Sequence, residues 1–278
     1  MASRKVRMSA SASLLTHSFI TTRLRAAGCV FAEDEARLLI SEARTSDDLD
    51  AMLGRRVAGL PLEHVLGWAE FCGLRIAVDP GVFVPRRRTE FLVHRAAALA
   101  RPGAVVVDLC CGSGAMGAAL VADLGRLQLY ASDVDPAAVR CARRNIAAAG
   151  GRVYEGDLYE PLPASLRGRV DVLVANVPYV PTEEVGLLPP EARVHEPRAA
   201  LDGGADGLDI LRRVAAGAPQ WLAPGAHLLF ETSERQKRRA VEAVDRSGLT
   251  AQVAGSEELD ATVVIGTRPA VPRELRRG

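Results

Sequence analysis

Lysine is almost missing from this chain. Lys5 and Lys237 are the only two in 278 residues, and arginine carries nearly all the positive charge. The net charge of +1 gives no global basic footprint for nucleic acid. Aromatic residues are scarce too: six phenylalanines, four tyrosines and two tryptophans. That leaves few platforms on which bases could stack, so no stable nucleic-acid binding is expected. The cysteines Cys29, Cys72, Cys110, Cys111 and Cys141 are odd in number and form no C-x-x-C pair. They read as reduced thiols in a cytoplasmic protein, not as a disulfide framework. Five scattered histidines show no metal-ligand spacing. Residues 1–7 are basic, but no long apolar core follows, so no signal peptide is expected. No run is long enough to span a bilayer. What remains is ordinary for a globular protein, 48% hydrophobic and 25% charged, with length for one large or two modest domains.

Residues 1–60 read as helices. Leu14, Leu15 and Ile20 fall on one stripe, and Ala36, Leu39, Ile40 and Ala43 on another. Ser46 and the two aspartates after it open a third helix by capping its free amides, and Gly28 and Gly54 punctuate the set. Residues 61–90 form a linker in which two short apolar segments flank Cys72-Gly73, the pattern of a β-hairpin. The linker ends in GVFVPRRRTE. Taken alone, its triple arginine Arg86–Arg88 reads first as a solvated face and second as an anion contact. From residue 91 to the end, strands and helices alternate. Strands are expected over 105–109, 127–132, 152–155, 170–175, 227–231 and 262–267. Helices are expected over 91–101, 115–124, from Pro136, 208–221 and 234–247. This is the rhythm of a doubly wound α/β domain. The Pro/Gly-rich stretch 183–204 is expected as a lid or binding loop.

The chain is organised around residues 104–179. AVVVDLCCGSGAMG, YASDVDP, EGDLY and DVLVANVPY each end a short apolar or β-branched run in an acidic or polar stop. A parallel sheet presents its ligand in this way, at the carboxyl ends of its strands. Gly112, Gly114 and Gly117 match G-x-G-x-x-G, and Asp133 follows at the spacing of a ribose contact, so a nicotinamide dinucleotide is a competing ligand. Two features argue for S-adenosyl-L-methionine instead. Asp108 stands four residues before Gly112, where it would repel a pyrophosphate by ~1–4 kcal/mol and attract the ammonium of a methionine. The fourth segment ends in Asn176-Val177-Pro178-Tyr179, which has no role in hydride transfer. An amide nitrogen is a poor nucleophile because its lone pair is delocalised. An Asn side-chain oxygen and the next carbonyl can each accept one of its N–H bonds, leaving the lone pair aimed at the donor methyl. Pro178 stiffens the corner and Tyr179 offers a flat face.

At these residues the sequence resembles the protein-(glutamine-N5) methyltransferases that modify bacterial release factors, the HemK type. The resemblance also includes VPRRRTEFLV, the HEPRAALDGGADGLD segment and LLFETSERQ. It implies a Rossmann-like class I S-adenosylmethionine-dependent methyltransferase domain over 91–278, with residues 1–60 helping to dock a protein substrate. It places Cys110, Cys111, Gly112, Ser113 and Gly114 under the methionine portion, with Asp108 beside it. Asp133 and Val134 would meet the ribose, and Asp157 and Leu158 the adenine. Asn176, Val177 and Tyr179 would hold the substrate amide, with Arg86 and Thr89 near the cofactor. The implied partner is a peptide chain release factor methylated on its Gly-Gly-Gln glutamine. An amino-methyltransferase acting on a nucleic-acid base is the alternative, since it shares the corner. Three departures stand out: Cys110 replaces the first loop glycine, Arg87-Arg88 replaces Pro-Glu, and Val177 replaces the first proline of the corner.

Overall fold

The structure is a computed structural model, and it describes residues 10–270. The basic start at 1–7 therefore lies outside the described residues, as do the side chains of Leu14 and Leu15. The first helices are α1 (Ala10–Ala26), α2 (Ala32–Glu42), α3 (Ser46–Val57) and the short α4 (Leu62–Leu66). Ile20, Leu24, Ala36, Leu39 and Leu53 are buried together as their common core. The cap of α3 is Thr45, whose side chain accepts the Asp48 N–H at 3.1 Å, so capping falls one residue before the expected Ser46. Gly54 lies inside α3 and does not end it.

The hairpin is β1 (Trp68–Phe71) and β2 (Leu74–Ala77), paired antiparallel. Its two-residue turn has both Cys72 and Gly73 at positive φ, +48° and +71°. Such a turn matches the twist of the strands it joins.

The rest is α5 (Glu90–Leu99), β3 (Val105–Leu109), α6 (Ala115–Leu124), β4 (Gln128–Asp133), α7 (Pro136–Ile146), β5 (Arg152–Glu155), β6 (Val170–Ala175), α8 (Pro190–His195), α9 (Asp209–Trp221), β7 (Leu222–Thr232), α10 (Lys237–Arg246), β8 (Thr250–Ser256) and β9 (Ala261–Thr267). Seven strands form one sheet in the order β5-β4-β3-β6-β7-β9-β8. β9 runs antiparallel to both of its neighbours, and the other strands are parallel to one another. Every residue of β3 is buried because helices cover both faces. Val107 and Leu109 face α9 and α10, while Val106 faces α5, α6 and α7. Chain order reverses at β3, which opens a crevice at its carboxyl end.

Three elements escaped the pattern: α4, only five residues long, α8, only six, and β8, an edge strand without a buried residue. The stretch 183–204 is folded, with α8 and two single 3-10 turns. Its end straps the chain that leaves β6. Val180 donates to the Leu201 carbonyl at 3.0 Å and accepts from Gly203 at 2.8 Å, and Thr182 donates to Gly204 at 3.0 Å. Gly207 closes the strap at φ +74°, where a Cβ would lie 2.3 Å from both Gln236 Nε2 and the Tyr179 carbonyl oxygen.

Gly207→Ala is therefore expected to lower the unfolding free energy by at least about 1–2 kcal/mol, the cost of a left-handed non-glycine residue alone. Urea titration of both proteins checks this.

Candidate functional site

A cavity of about 560 Å³ opens at the carboxyl ends of the parallel strands. Of the residues singled out from sequence, it is lined by Arg86, Thr89, Cys110, Cys111, Gly112, Ser113, Asp133, Val134, Asp157, Leu158, Asn176, Val177, Pro178 and Tyr179. These come from the linker and from the turns after β3, β4, β5 and β6. Asp108 and Gly114 do not line it.

Asp108 is fully buried. It shares the sheet face of Val106, so its side chain points under α6 and not into the cavity. Its Oδ2 accepts the Gly117 N–H at 3.1 Å, and its Oδ1 has no partner among the described residues. Burial, helped by Asp133 nearby and opposed by the Gly117 bond, pushes its pKa up to about 8. Gly117 makes room for it: a Cβ there would sit 3.4 Å from the carboxyl and 3.0 Å from Leu129. Gly114 likewise lets the loop pack on α7, since its Cβ would be 3.1 Å from Ala142. Both glycines serve packing, the third role of the motif.

The loop itself turns left-handed at Cys110 (φ +53°) and Gly112 (φ +54°). The Cys110 thiol is raised, mainly by burial and then by Asp133 and Asp108. Asp133 is committed in part: Oδ2 accepts the Gly112 N–H at 2.8 Å and Oδ1 accepts the Asp135 N–H at 2.9 Å. Burial still holds its pKa above the ordinary value. Asp157 pairs with Arg213 at 2.5 Å. The basic side chains of the cavity are Arg86 and Arg88. Arg86 is bound to Glu196 at 2.6 Å and Arg88 to Glu231 at 2.7 Å. The strand-tip half of the cavity thus carries acids without a free cation. A pyrophosphate is disfavoured beside Asp133 and Asp157, whereas a sulfonium amino acid with ribose hydroxyls fits.

The cavity is also lined by the corner at 176–179, which follows β6 beside β3. The Asn176 side chain makes no hydrogen bond to a described residue, nor does the Val177 carbonyl, so both are free acceptors. The Val177 N–H, which a proline would not have, also finds no described partner. Tyr179 is fixed at both ends. Its hydroxyl donates to Glu231 Oε1 at 3.0 Å and accepts from Arg88, and its carbonyl accepts from Gln236 Nε2 at 2.8 Å. Glu231 also accepts the Thr89 hydroxyl at 2.7 Å. Burial, with Glu231 beside it, pushes the phenol above its ordinary pKa, so it stays neutral.

The arginine run is therefore not a solvated face. Only Arg87 is exposed without a partner role here, while Arg86 and Arg88 are consumed by buried carboxylates more than 100 residues away. Sequence reasoning missed Glu231, Glu196 and Gln236. Glu231 carried a readable signal: an acid directly after the apolar run Leu228-Leu229-Phe230, as Asp108 follows Val105–Val107. Glu196 and Gln236 carried none.

Among known proteins, the Methyltransferase small domain model matches residues 73–205. The chain is 41% identical to the release factor glutamine methyltransferase of Geobacter sulfurreducens over 199 residues, 71% of this chain and 69% of that protein. It is 35% identical to the protein of the same name from Mycolicibacterium smegmatis over 258 residues, 90% and 91% of the two chains. A solved methyltransferase from Pyrococcus furiosus superposes with a TM-score of 0.54 at 18% identity, covering 79% of this chain and 98% of that one.

Two outcomes follow from the buried acids. Below about pH 8 the Asp108 carboxyl is neutral in the folded protein, but it is ionised in the unfolded chain above its ordinary 3.8. The unfolded state then holds fewer protons, so this group makes stability fall as pH rises from about 4 to 8. Asp108→Asn keeps the acceptor for Gly117 and removes the titration. In urea titrations without cofactor, the variant should gain on the wild type between pH 5 and pH 8. Glu231→Ala strands the Arg88 and Thr89 donors and should destabilise by about 2–4 kcal/mol, measured in the same way.

Proposed function

Because this chain belongs to the release factor glutamine methyltransferase family, we propose that it methylates the side-chain amide nitrogen of a protein glutamine, with S-adenosyl-L-methionine as donor. The target is the Gly-Gly-Gln loop of a peptide chain release factor. The observation that carries this reading is the pair of free acceptors at the corner, the Asn176 side chain and the Val177 carbonyl, in residues that line the same cavity as Asp133 and Asp157.

When bound, S-adenosyl-L-methionine supplies an electrophilic methyl group on a sulfonium. Cys110, Cys111, Gly112 and Ser113 would hold it from below, Asp133 and Val134 at the ribose, and Asp157 and Leu158 at the adenine. Arg86 and Thr89, which line the same cavity, would lie near it. Asp108, one layer beneath, acts through the loop it supports, by accepting the Gly117 N–H in the first turn of α6.

Asn176 and Val177 each accept one N–H of the substrate amide. That orients the nitrogen and favours the positive charge that develops on it as the new bond forms. Both acceptors are already in place, so little reorganisation is needed at the moment of reaction. Tyr179 presents its ring to the planar amide, held still by Glu231 and Gln236. Pro178 limits the turn to one geometry. No general base is required, because the nitrogen proton becomes strongly acidic once the methyl arrives and leaves to water. Glu231 is unsuited to that task, with three donors already on its carboxylate.

The helices of residues 1–60 help to dock the release factor. Phe19, Val30 and Phe31 are 55%, 83% and 69% exposed there, more apolar surface than a small helical unit needs to show. The setting is the cytoplasm, where five free thiols are stable. Among the described residues no helix is long and apolar enough to cross a membrane.

Asn176→Ala should cut methyl transfer to a release factor by about a hundredfold or more while cofactor binding stays within a few-fold. Labelled-methyl transfer with mass spectrometry of the Gly-Gly-Gln peptide, beside calorimetry with the cofactor, measures both. Equal turnover in the variant would remove Asn176 from the reaction.

A further inference from the structure

A second cavity of about 260 Å³ adjoins the first and shares Tyr179, Val180 and Leu188 with it. Its polar lining is already satisfied from within the chain. The Ser233 hydroxyl donates to Gln236 Oε1 at 2.7 Å, and Gln236 Nε2 donates to the Tyr179 and Asp206 carbonyls at 2.8 and 3.0 Å. Arg235 pairs with Glu184 at 2.7 Å, and the Tyr179 hydroxyl is turned to Glu231. What is left for a ligand is apolar: Val180, Pro181, Leu188 and, at the lip, Leu187 with 82% of its surface exposed. An exposed leucine beside a cavity whose inner polar groups are occupied suits an apolar side chain, while Arg235 stays at the solvent-exposed rim.

Continuity decides whose side chain it is. The two cavities share Tyr179 and Val180, so an acceptor segment with one side chain in the Asn176 corner reaches the second cavity with a near neighbour, since a chain advances only about 3.3 Å per residue. We propose that this second cavity is a subsite for an apolar side chain within two residues of the target glutamine in the acceptor protein. The proposal rests on the glutamine-amide reading of the corner. It makes substrate choice depend on the neighbour of the glutamine as well as on the glutamine.

The full chain is assayed for labelled-methyl transfer to release factor variants. Each carries Leu, Ala or Asp at one of the four positions within two residues of the target glutamine. At one position Leu should give a KM about tenfold below that of Asp with kcat unchanged, the size expected for filling one apolar pocket. Leu187→Asp, at an exposed position that leaves folding intact, should erase that preference, and Leu187→Met should keep it. A wild type indifferent to all four positions overturns the subsite. So does a preference that survives Leu187→Asp, or a kcat loss shared by every acceptor. If the wild type labels no glutamine in any of these proteins, the amide reading itself fails and the subsite falls with it.

Discussion

Tyr179 is suspended between two buried side chains, and the shape of the corner depends on that suspension. Glu231, 3% exposed at the end of β7, receives the tyrosine hydroxyl, the Arg88 guanidinium and the Thr89 hydroxyl. Gln236, just before α10, receives nothing from Tyr179 but donates to its carbonyl. A carboxylate taken out of water without partners costs several kcal/mol, so its three donors are held closely in place. The start of α5, the turn after β6 and the end of β7 are thereby locked to one another. A planar amide can be gripped only if the acceptors around it do not drift, and this network keeps them from drifting.

The cavity divides by charge. Asp133, Asp135 and Asp157 line it at and after the ends of β4 and β5, while Arg86 and Arg88 are neutralised by Glu196 and Glu231. The division suits a cationic donor on one side and a neutral amide on the other. Asp108 contributes from beneath the surface. Burial raises its pKa, and the Gly117 N–H that it accepts ties the strand tip to α6. A longer tie reaches back to the first helices. Arg56, buried in α3, grips Glu35 of α2 at 2.6 Å and Glu191 of α8 at 2.7 Å. The helical region and the strap over the corner are thus joined by one ion triad.

Local pattern revealed the sheet well because its strands are covered on both faces. Runs such as Val105–Leu109 need apolar residues throughout, and the acid or polar stop after each marks where the chain turns into the crevice. β8 had no such mark. It pairs only through β9 and buries no side chain, so its sequence, TAQVAGS, is free of an apolar rhythm. The stretch 183–204 was legible as a segment set apart from the sheet but not as a folded one. Its order comes from main-chain bonds to residues 180 and 182, whose main-chain groups are the same in every sequence, and from ion pairs such as Arg56–Glu191 and Arg86–Glu196 whose partners stand far off in the chain.

The chain by itself determined the sheet, the glycine loop and the corner at 176–179, because each is written in neighbouring residues whose periodicity or stiffness acts locally. Only the tertiary structure decided which arginine meets which carboxylate, since a charge carries no address and its partner can stand over 100 residues away. The fate of Asp108 was decided in the same way. The strand's alternation turned it toward α6, and the glycine that made room for it lies nine residues further along the chain.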